Sequence, residues 1–425
     1  MRAAFLVSRR PWFQLLGPTM LAAREHGWDV ECWHDYRQPS DGAKGYQFPA
    51  LDSADGLTAR GVQSRACHST EELSSWLART DLDALVSLRT SQLPAPANGA
   101  RGPLLVEQQH VLDTFVVQRA SALLTRDLIS IASPWWINWA ASWYAQEREI
   151  DDLASYERAV LARCAAVGMP ALDVAREIDQ CAVRARWGIP ASQPVVVLFP
   201  FPAGVGQEAF WPKHIFAEAS VARKLARIIR HGRYEYLPDV WRRCDDANVV
   251  AALRRFCDLN GAYLLVKARQ KTPVPHYLEA AADRCVYDEH VYPGTVFEAL
   301  SIASLSVGHF TTAAIESVAL GIPHLCIPFS ADHYFPASAT MNIRSFEHFF
   351  STAEGGPFQF TGASTVMTVP DVLARLGQMD LSAFRMEEAA RRRYVEKFVS
   401  HADGRAGERL VSAMAAAVTA RRQES

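Results

Sequence analysis

No run of apolar side chains among the 425 residues approaches the length of a membrane span, and there is no low-complexity tract or internal repeat of fixed period. A transmembrane helix needs about 20 consecutive apolar residues, so none is expected. Solenoid and disordered architectures are excluded by the same survey. Positive charge is not in excess either: 44 Lys and Arg stand against 46 Asp and Glu, a net charge of −2. Such a chain carries no polycationic field, and no nucleic acid is expected as a partner. Eight cysteines (Cys32, Cys67, Cys164, Cys181, Cys244, Cys257, Cys285, Cys326) occur without a CxxC or a tight Cys/His spacing. A zinc site and a disulfide framework are both disfavoured, and buried thiols in a reducing compartment fit better. The opening MRAAFLVSRRPWF has a short apolar run followed directly by Arg9 and Arg10, which is not a secretory pattern. A cytoplasmic protein is expected.

What the chain does have is alternation of buried strands and helices. Its length exceeds what one core usually organises, so two domains are expected. Ala3 to Val7 and Asp29 to Trp33 read as strands around a helix at about Thr19 to Glu25. Ala84 to Leu88, Leu104 to Val106 and Leu128 to Ile131 continue the pattern, giving an α/β domain over 1–185. Gly-Met-Pro and Gly-Ile-Pro breaks then precede a new apolar run, Val195 to Phe199, which opens a second α/β domain over 186–380. Residues 381–425 read as helical. Two segments stand apart. The basic stretch 213–243 carries eight Lys and Arg among apolar residues, the pattern of a solvated helical face or of peripheral membrane contact. Pro134 to Tyr144 holds four tryptophans, which suit core packing or an aromatic platform for a sugar or lipid.

The richest stretch is 303–329, ASLSVGHFTTAAIESVALGIPHLCIPF. An apolar run ends at Gly308-His309, Thr311 and Thr312 follow, and Ile315, Val318 and Ala319 recur at helical spacing. Gly321 and Pro323 stop that helix, and a second apolar run begins at His324. The result is strand, small polar turn, helix bearing Glu316, strand. In an open parallel sheet the carboxyl end of such a strand is where ligands bind, and a helix start there suits a phosphate.

The order VGMPALD (167–173), RWGIPASQPVVVLFP (186–200), LLVKAR (264–269) and GHFTTAAIESVALGIPHLCIPF (308–329) resembles the GT-B glycosyltransferase superfamily. It is most similar to bacterial members of surface polysaccharide synthesis, near the CDP-glycerol and Kdo transferases and the UDP-GlcNAc 2-epimerases. The resemblance implies two Rossmann-like doubly wound domains facing a cleft. The first domain would bind the acceptor and the second the nucleotide-sugar, with a C-terminal helix crossing back. It implies transfer of a sugar from a nucleotide donor to a glycan or lipid-linked acceptor, with neither cofactor nor metal. A polyol-phosphate transferase, a sugar-nucleotide epimerase and a non-catalytic nucleotide-sugar-binding protein are the alternatives.

Site residues carry over position by position. Thr311 and Thr312, with His309, match the turn that meets the donor phosphates, and Glu316 matches the acid on the ribose hydroxyls. Lys267 and Arg269 match cations placed against the diphosphate. Tyr292, in the DEHVYP segment 288–293, falls where the nucleobase is held. In the first domain His110 is the candidate base, with Glu107 and Asp113 as rivals, because a histidine titrates near neutrality. Ser8, Arg9 and Arg10 follow the first strand and suit an anionic group, and Gly204 and Gly206 suit a phosphate-facing turn. Two family patterns are missing. Gly308 replaces the first of two glutamates eight positions apart, and Ala268-Arg269 replaces a His-Pro pair. The donor base and sugar are therefore not specified.

Overall fold

The computed structural model describes residues 1–37, 56–79, 81–89, 93, 102–110, 113–116, 119–200, 246–268, 274, 276–287, 292–328 and 348–424. The basic stretch 213–243, Gly204, Gly206, Arg269 and residues 288–291 lie outside them. The chain divides into two compact units. Unit 1 comprises Met1–Ile178, His290–Phe297 and Val395–Ser425; unit 2 comprises Asp179–Glu289 and Glu298–Tyr394.

Unit 1 is built on a seven-stranded sheet of order β3-β2-β1-β4-β5-β6-β7. The strands are β1 Arg2–Val7, β2 Asp29–Asp35, β3 Gln63–Cys67, β4 Ala84–Ser87, β5 Leu104–Gln108, β6 Leu128–Ile131 and β7 Cys164–Ala166. All neighbouring pairs are parallel. Helices on both faces of a parallel sheet force the central strands to be apolar throughout. Ala3 to Val7 of β1 is accordingly buried end to end. The strand order reverses between β1 and β4, which opens a crevice beyond their carboxyl ends. Helix α1, Trp12–Glu25, follows β1 and starts earlier than its sequence suggests, because Pro18 sits inside it. A proline there removes one backbone bond and crowds the preceding turn. Gln108 ties the residues flanking Pro18 to β5: its amide donates to Leu15 O at 2.7 Å while its oxygen accepts from Thr19 Oγ1 at 3.0 Å. Helix α2, Trp135–Gln146, holds the four tryptophans. Trp136 is buried and donates to Phe398 O at 2.7 Å, whereas Trp135 and Trp139 stack half-exposed with centroids 5.4 Å apart.

Unit 2 opens with helix α3, Gln180–Trp187. Asp179 caps it through Cys181 N and Ala182 N, and Gly188 in the left-handed region ends it. Its six-stranded sheet has the order β10-β9-β8-β11-β12-β13. The strands are β8 Val195–Phe199, β9 Tyr263–Lys267, β10 Arg284–Val286, β11 Leu305–Gly308, β12 His324–Cys326 and β13 Ser364–Val366, again all parallel. The order reverses between β8 and β11, so the crevice of this unit lies beyond Phe199 and Gly308. One face packs on helix α4, Asp246–Leu259: Val196, Leu198, Leu264, Val266, Leu305, Val307 and Leu325 join Phe256 in one core. By alternation Lys267, Ser306, Gly308 and His324 point to the other face. Helix α5, Thr295–Ser301, precedes β11, and helix α6, Ala313–Ala319, joins β11 to β12.

The C-terminal stretch is not one helix. Helix α7, Glu388–Phe398, and helix α8, Ala406–Gln423, are separated by a turn with Ser400 at φ 61° and Gly404 at φ 68°. Within unit 1, Asp173 receives Ala406 N at 3.1 Å and Gly407 N at 2.7 Å, capping α8. Burial holds that carboxyl up at about 6. Strands β3, β7 and β13 escape the sequence pattern for a common reason. Each is an edge or terminal strand, covered on fewer sides and free to carry polar residues.

Candidate functional site

The site in unit 2 is assembled by the turn after β11. Gly308 aligns with Phe199 on one side and Cys326 on the other. A side chain at Gly308 would stand 2.8 Å from Thr311 Cγ2, so the turn folds tightly over the strand end. His309 fixes it from below, with Nδ1 2.6 Å from Ile327 O. Thr311 Oγ1 accepts from Ala313 N at 3.3 Å, closing the first turn of α6. Thr312 precedes the helix without a side-chain capping bond. Its hydroxyl is left half-buried at the mouth of the turn.

Glu316 sits one turn into α6 and is only 4% exposed. No described residue hydrogen-bonds its carboxyl group. Desolvation raises it to about 7, well above the ordinary carboxylate range. Buried polar groups almost always have partners, because stripping water from an unpaired one costs several kcal/mol (about 1–3 for a neutral group, more for a charge). An unpaired acid beside the crevice is therefore unexplained by packing. Lys267 ends β9 one position beyond the Leu198–Val266 pair, at the level of Phe199. It is 6% exposed, and its ammonium donates to Ala268 O at 2.7 Å. A fixed cation and a buried acid thus share the carboxyl side of one sheet and one of its faces.

Sequence reasoning passed over His324, noting it only as the start of a strand. Its Nδ1 lies 2.7 Å from Ser306 Oγ, the residue opposite it on β11. The ring is 1% exposed, Nε2 has no partner, and burial holds the group down at about 3. An isolated histidine at a strand start gives no signal for this, since the pairing depends on register across β11 and β12.

In unit 1 the picked residues also gather at the carboxyl side of the sheet. Ser8 follows β1 and donates to Asp35 Oδ2 at 3.2 Å, and Asp35 is gripped by Arg37 through contacts of 2.8 and 2.9 Å. The carbonyls of Arg9 and Arg10 accept from Trp12 N and Phe13 N and so start α1. Glu107 is fully buried in β5 and accepts from Arg126 Nε at 3.0 Å. His110 lies three residues on, half-buried, its backbone N–H donating to Thr114 Oγ1 at 2.7 Å. Tyr292 belongs to this unit as well. Its ring covers Gly17 of α1, where an added Cβ would meet it at 2.5 Å, and burial pushes its hydroxyl far above its usual range. Unit 1 therefore brings together Ser8, Arg9, Arg10, Glu107, His110 and Tyr292. Unit 2 brings together Lys267, His309, Thr311, Thr312 and Glu316. No group of three or more His, Cys, Asp or Glu able to hold a metal occurs among the described residues, and no described helix is long and apolar enough to cross a membrane.

No protein-family model matches the chain, and no curated protein matches it in sequence. Solved structures do match in shape. The wall teichoic acid polymerase TagF superposes with a TM-score of 0.52 at 10% identity, over 99% of this chain and 89% of the polymerase chain. A protein from Listeria monocytogenes assigned as a UDP-N-acetylglucosamine 2-epimerase gives a TM-score of 0.52 at 10% identity, over 100% and 97% of the two chains. At that identity the likeness concerns architecture, and it extends along the whole chain: the two doubly wound units carry the GT-B fold.

Proposed function

We propose that the protein is a glycosyltransferase that moves a sugar from a nucleotide donor to a glycan or lipid-linked acceptor in surface polysaccharide synthesis. The observation that carries this reading is the unpaired buried carboxyl of Glu316 at the switch point of unit 2. A carboxylate accepts two hydroxyl hydrogens at once, so the vicinal ribose hydroxyls of a nucleotide satisfy it completely. Lys267 and the Gly308–Thr312 turn then face the diphosphate. In the reaction an acceptor hydroxyl oxygen bonds to the anomeric carbon as the bond from that carbon to the phosphate oxygen breaks. The electron pair leaves with the nucleoside diphosphate, whose charge Lys267 and the turn stabilise. The acceptor proton passes to a base in unit 1.

His110 is our choice for that base. Glu107 is its rival, but its carboxylate is fully buried and occupied by Arg126 Nε at 3.0 Å. Tyr292 is assigned to positioning, through its packing on α1. The test is a panel of UDP, CDP, CMP and GDP followed by their sugar conjugates, read by thermal shift and by nucleotide release. One nucleoside diphosphate is expected to raise the melting temperature, and its sugar conjugate to be consumed only when acceptor is added. Epimerised donor in the absence of acceptor, transfer of glycerol phosphate, or no nucleotide binding at all contradicts the proposal.

A further inference from the structure

Glu316 stands on a helix that has little of its own to hold it. Helix α6 has seven residues, all buried, and four of them are alanine or serine. Two turns of helix are not stable alone, and small side chains interdigitate weakly, so its ends must be tied. The last four carbonyls of a helix have no partner within it, and in a buried helix each needs one from the protein. Three are met locally: Glu316 O accepts from Leu320 N at 3.0 Å, Ser317 O from Ile322 N at 2.9 Å and Val318 O from Gly321 N at 3.1 Å. The fourth, Ala319 O, accepts from Arg391 Nη2 at 2.7 Å, a bond that spans 72 residues and comes from α7. Arg392 and Arg393, which continue the basic run, are exposed. The other contact of Arg391, Nη1 to Oε1 of the exposed Glu388 at 3.3 Å, is a surface pair of small worth. This part of α7 is itself fixed within unit 2: Glu387 N donates to Gly362 O and Tyr394 Oη to Pro357 O, both at 2.7 Å.

We infer that Arg391 is a positioning residue for the nucleotide: by holding the end of α6 it fixes the Glu316 carboxyl where both ribose hydroxyls reach it. The inference rests on the assignment of Glu316 to the ribose under the proposed function. Glu316 lies three residues before Ala319, one turn along the same helix, so a shift at Ala319 O passes to it through helical backbone. A carboxylate that accepts two hydroxyl hydrogens at once has to be held to within roughly 0.5 Å. A guanidinium also complements the negative end of the helix, which the three backbone donors do not. The role needs no contact between Arg391 and ribose or phosphate, because it acts through α6.

Calorimetric titration of the full chain with UDP, CDP and GDP, and with the 2′,3′-dideoxy form of whichever binds, tests this. The readout is the ratio of the two affinities, ribose over dideoxyribose. Arg391→Met and Arg391→Gln remove the donor to Ala319 O, and a cooperative urea transition shows that each is folded. Either is expected to reduce a wild-type ratio of at least about 10 to below about 3. Arg391→Lys keeps one donor and is expected to retain a ratio within about 3-fold of the wild type. In a Glu316→Gln background Arg391→Met is expected to change nucleotide affinity by less than about 2-fold, since the group it positions is already gone. A merely structural Arg391 gives a different pattern: ribose and dideoxyribose forms weaken alike and the ratio stays at its wild-type value, which overturns the inference. The same loss of affinity with and without Glu316 also overturns it. So does failure of both donor-free variants to fold, because Arg391 then serves the fold and not the site. The two levels separate in the wild type. A ratio near 1 there removes the ribose assignment itself, whereas a high wild-type ratio that survives Arg391→Met overturns only the role of Arg391.

Discussion

Glu107 and Glu316 are both buried acids in doubly wound units of the same topology, yet their surroundings are opposite. Glu107 ends in the guanidinium of Arg126, so a buried charge meets a buried counter-charge at 3.0 Å. Glu316 meets no described partner, and it is held near neutrality by desolvation. The first arrangement is self-sufficient. Deleting one member of such a pair is damaging, because it strands the other charge. The second is a cost that the isolated unit carries without return, and costs of this kind concentrate at functional sites. The difference teaches that burial alone does not mark a binding acid; burial without a partner does.

Several changes break or sharpen that contrast. Arg126→Ala makes Glu107 resemble Glu316, and is expected to destabilise the protein by about 3–5 kcal/mol at pH 8, read by urea denaturation. A loss below about 1 kcal/mol would show that the pair is not a structural element.

His324 tests a second buried group of unit 2, bonded to Ser306 at Nδ1 and without a partner at Nε2. Its folded value of about 3 lies below the usual 6.5, so the neutral ring stabilises fully above pH 6.5, and that stability is lost as pH falls toward 3. His324→Gln is expected to flatten this acid limb, which at full protonation is worth roughly 5 kcal/mol. An acid limb identical to that of the wild type counts against the assignment.

Glu316 has the opposite sign. A folded value near 7, raised from 4.5, gives stability that is complete below pH 4.5 and is lost as pH rises through 7. Glu316→Gln removes the charge and is expected to stabilise the nucleotide-free protein by about 3 kcal/mol at pH 8 and by little at pH 4.5, measured as unfolding free energy against pH. Destabilisation at pH 8 would mean that the carboxylate has a partner after all. The smallest effect is expected at Thr312, which makes no capping bond. Thr312→Ala should change stability by less than about 0.5 kcal/mol while lowering nucleotide affinity, since its hydroxyl is assigned to the phosphate and not to the helix.

Much of this was legible before the structure, and what was missed shares a cause. The central strands announced themselves as apolar runs, because a strand covered on both faces has no polar side. Gly308, Thr311, Thr312 and Glu316 were legible as a strand end, a turn and a helix start, since their spacing is local. What local spacing cannot encode is register. The partnership of Ser306 with His324 needs β11 and β12 side by side, and that of Glu107 with Arg126 joins residues from the end of one strand and the approach to the next. The sequence marked Glu316 as a ribose ligand and Glu107 as a rival base, and only the packing shows that Glu107 already has a partner. The edge strands β3, β7 and β13 were missed because partial cover relaxes the apolar pattern. The break between α7 and α8 was missed although Gly404 lies in it, because the left-handed residue that ends α7, Ser400, carries no sequence signal.

The central claim is that Glu316 awaits a ribose. Calorimetric titration with the nucleoside diphosphate that binds, and with its 2′,3′-dideoxy counterpart, tests it in wild type and in Glu316→Gln. The wild type is expected to bind the dideoxy compound at least about 10-fold more weakly, the scale of a charged hydrogen-bond pair, and the variant to bind both alike. Equal affinities in the wild type, or the same discrimination in both proteins, would contradict it.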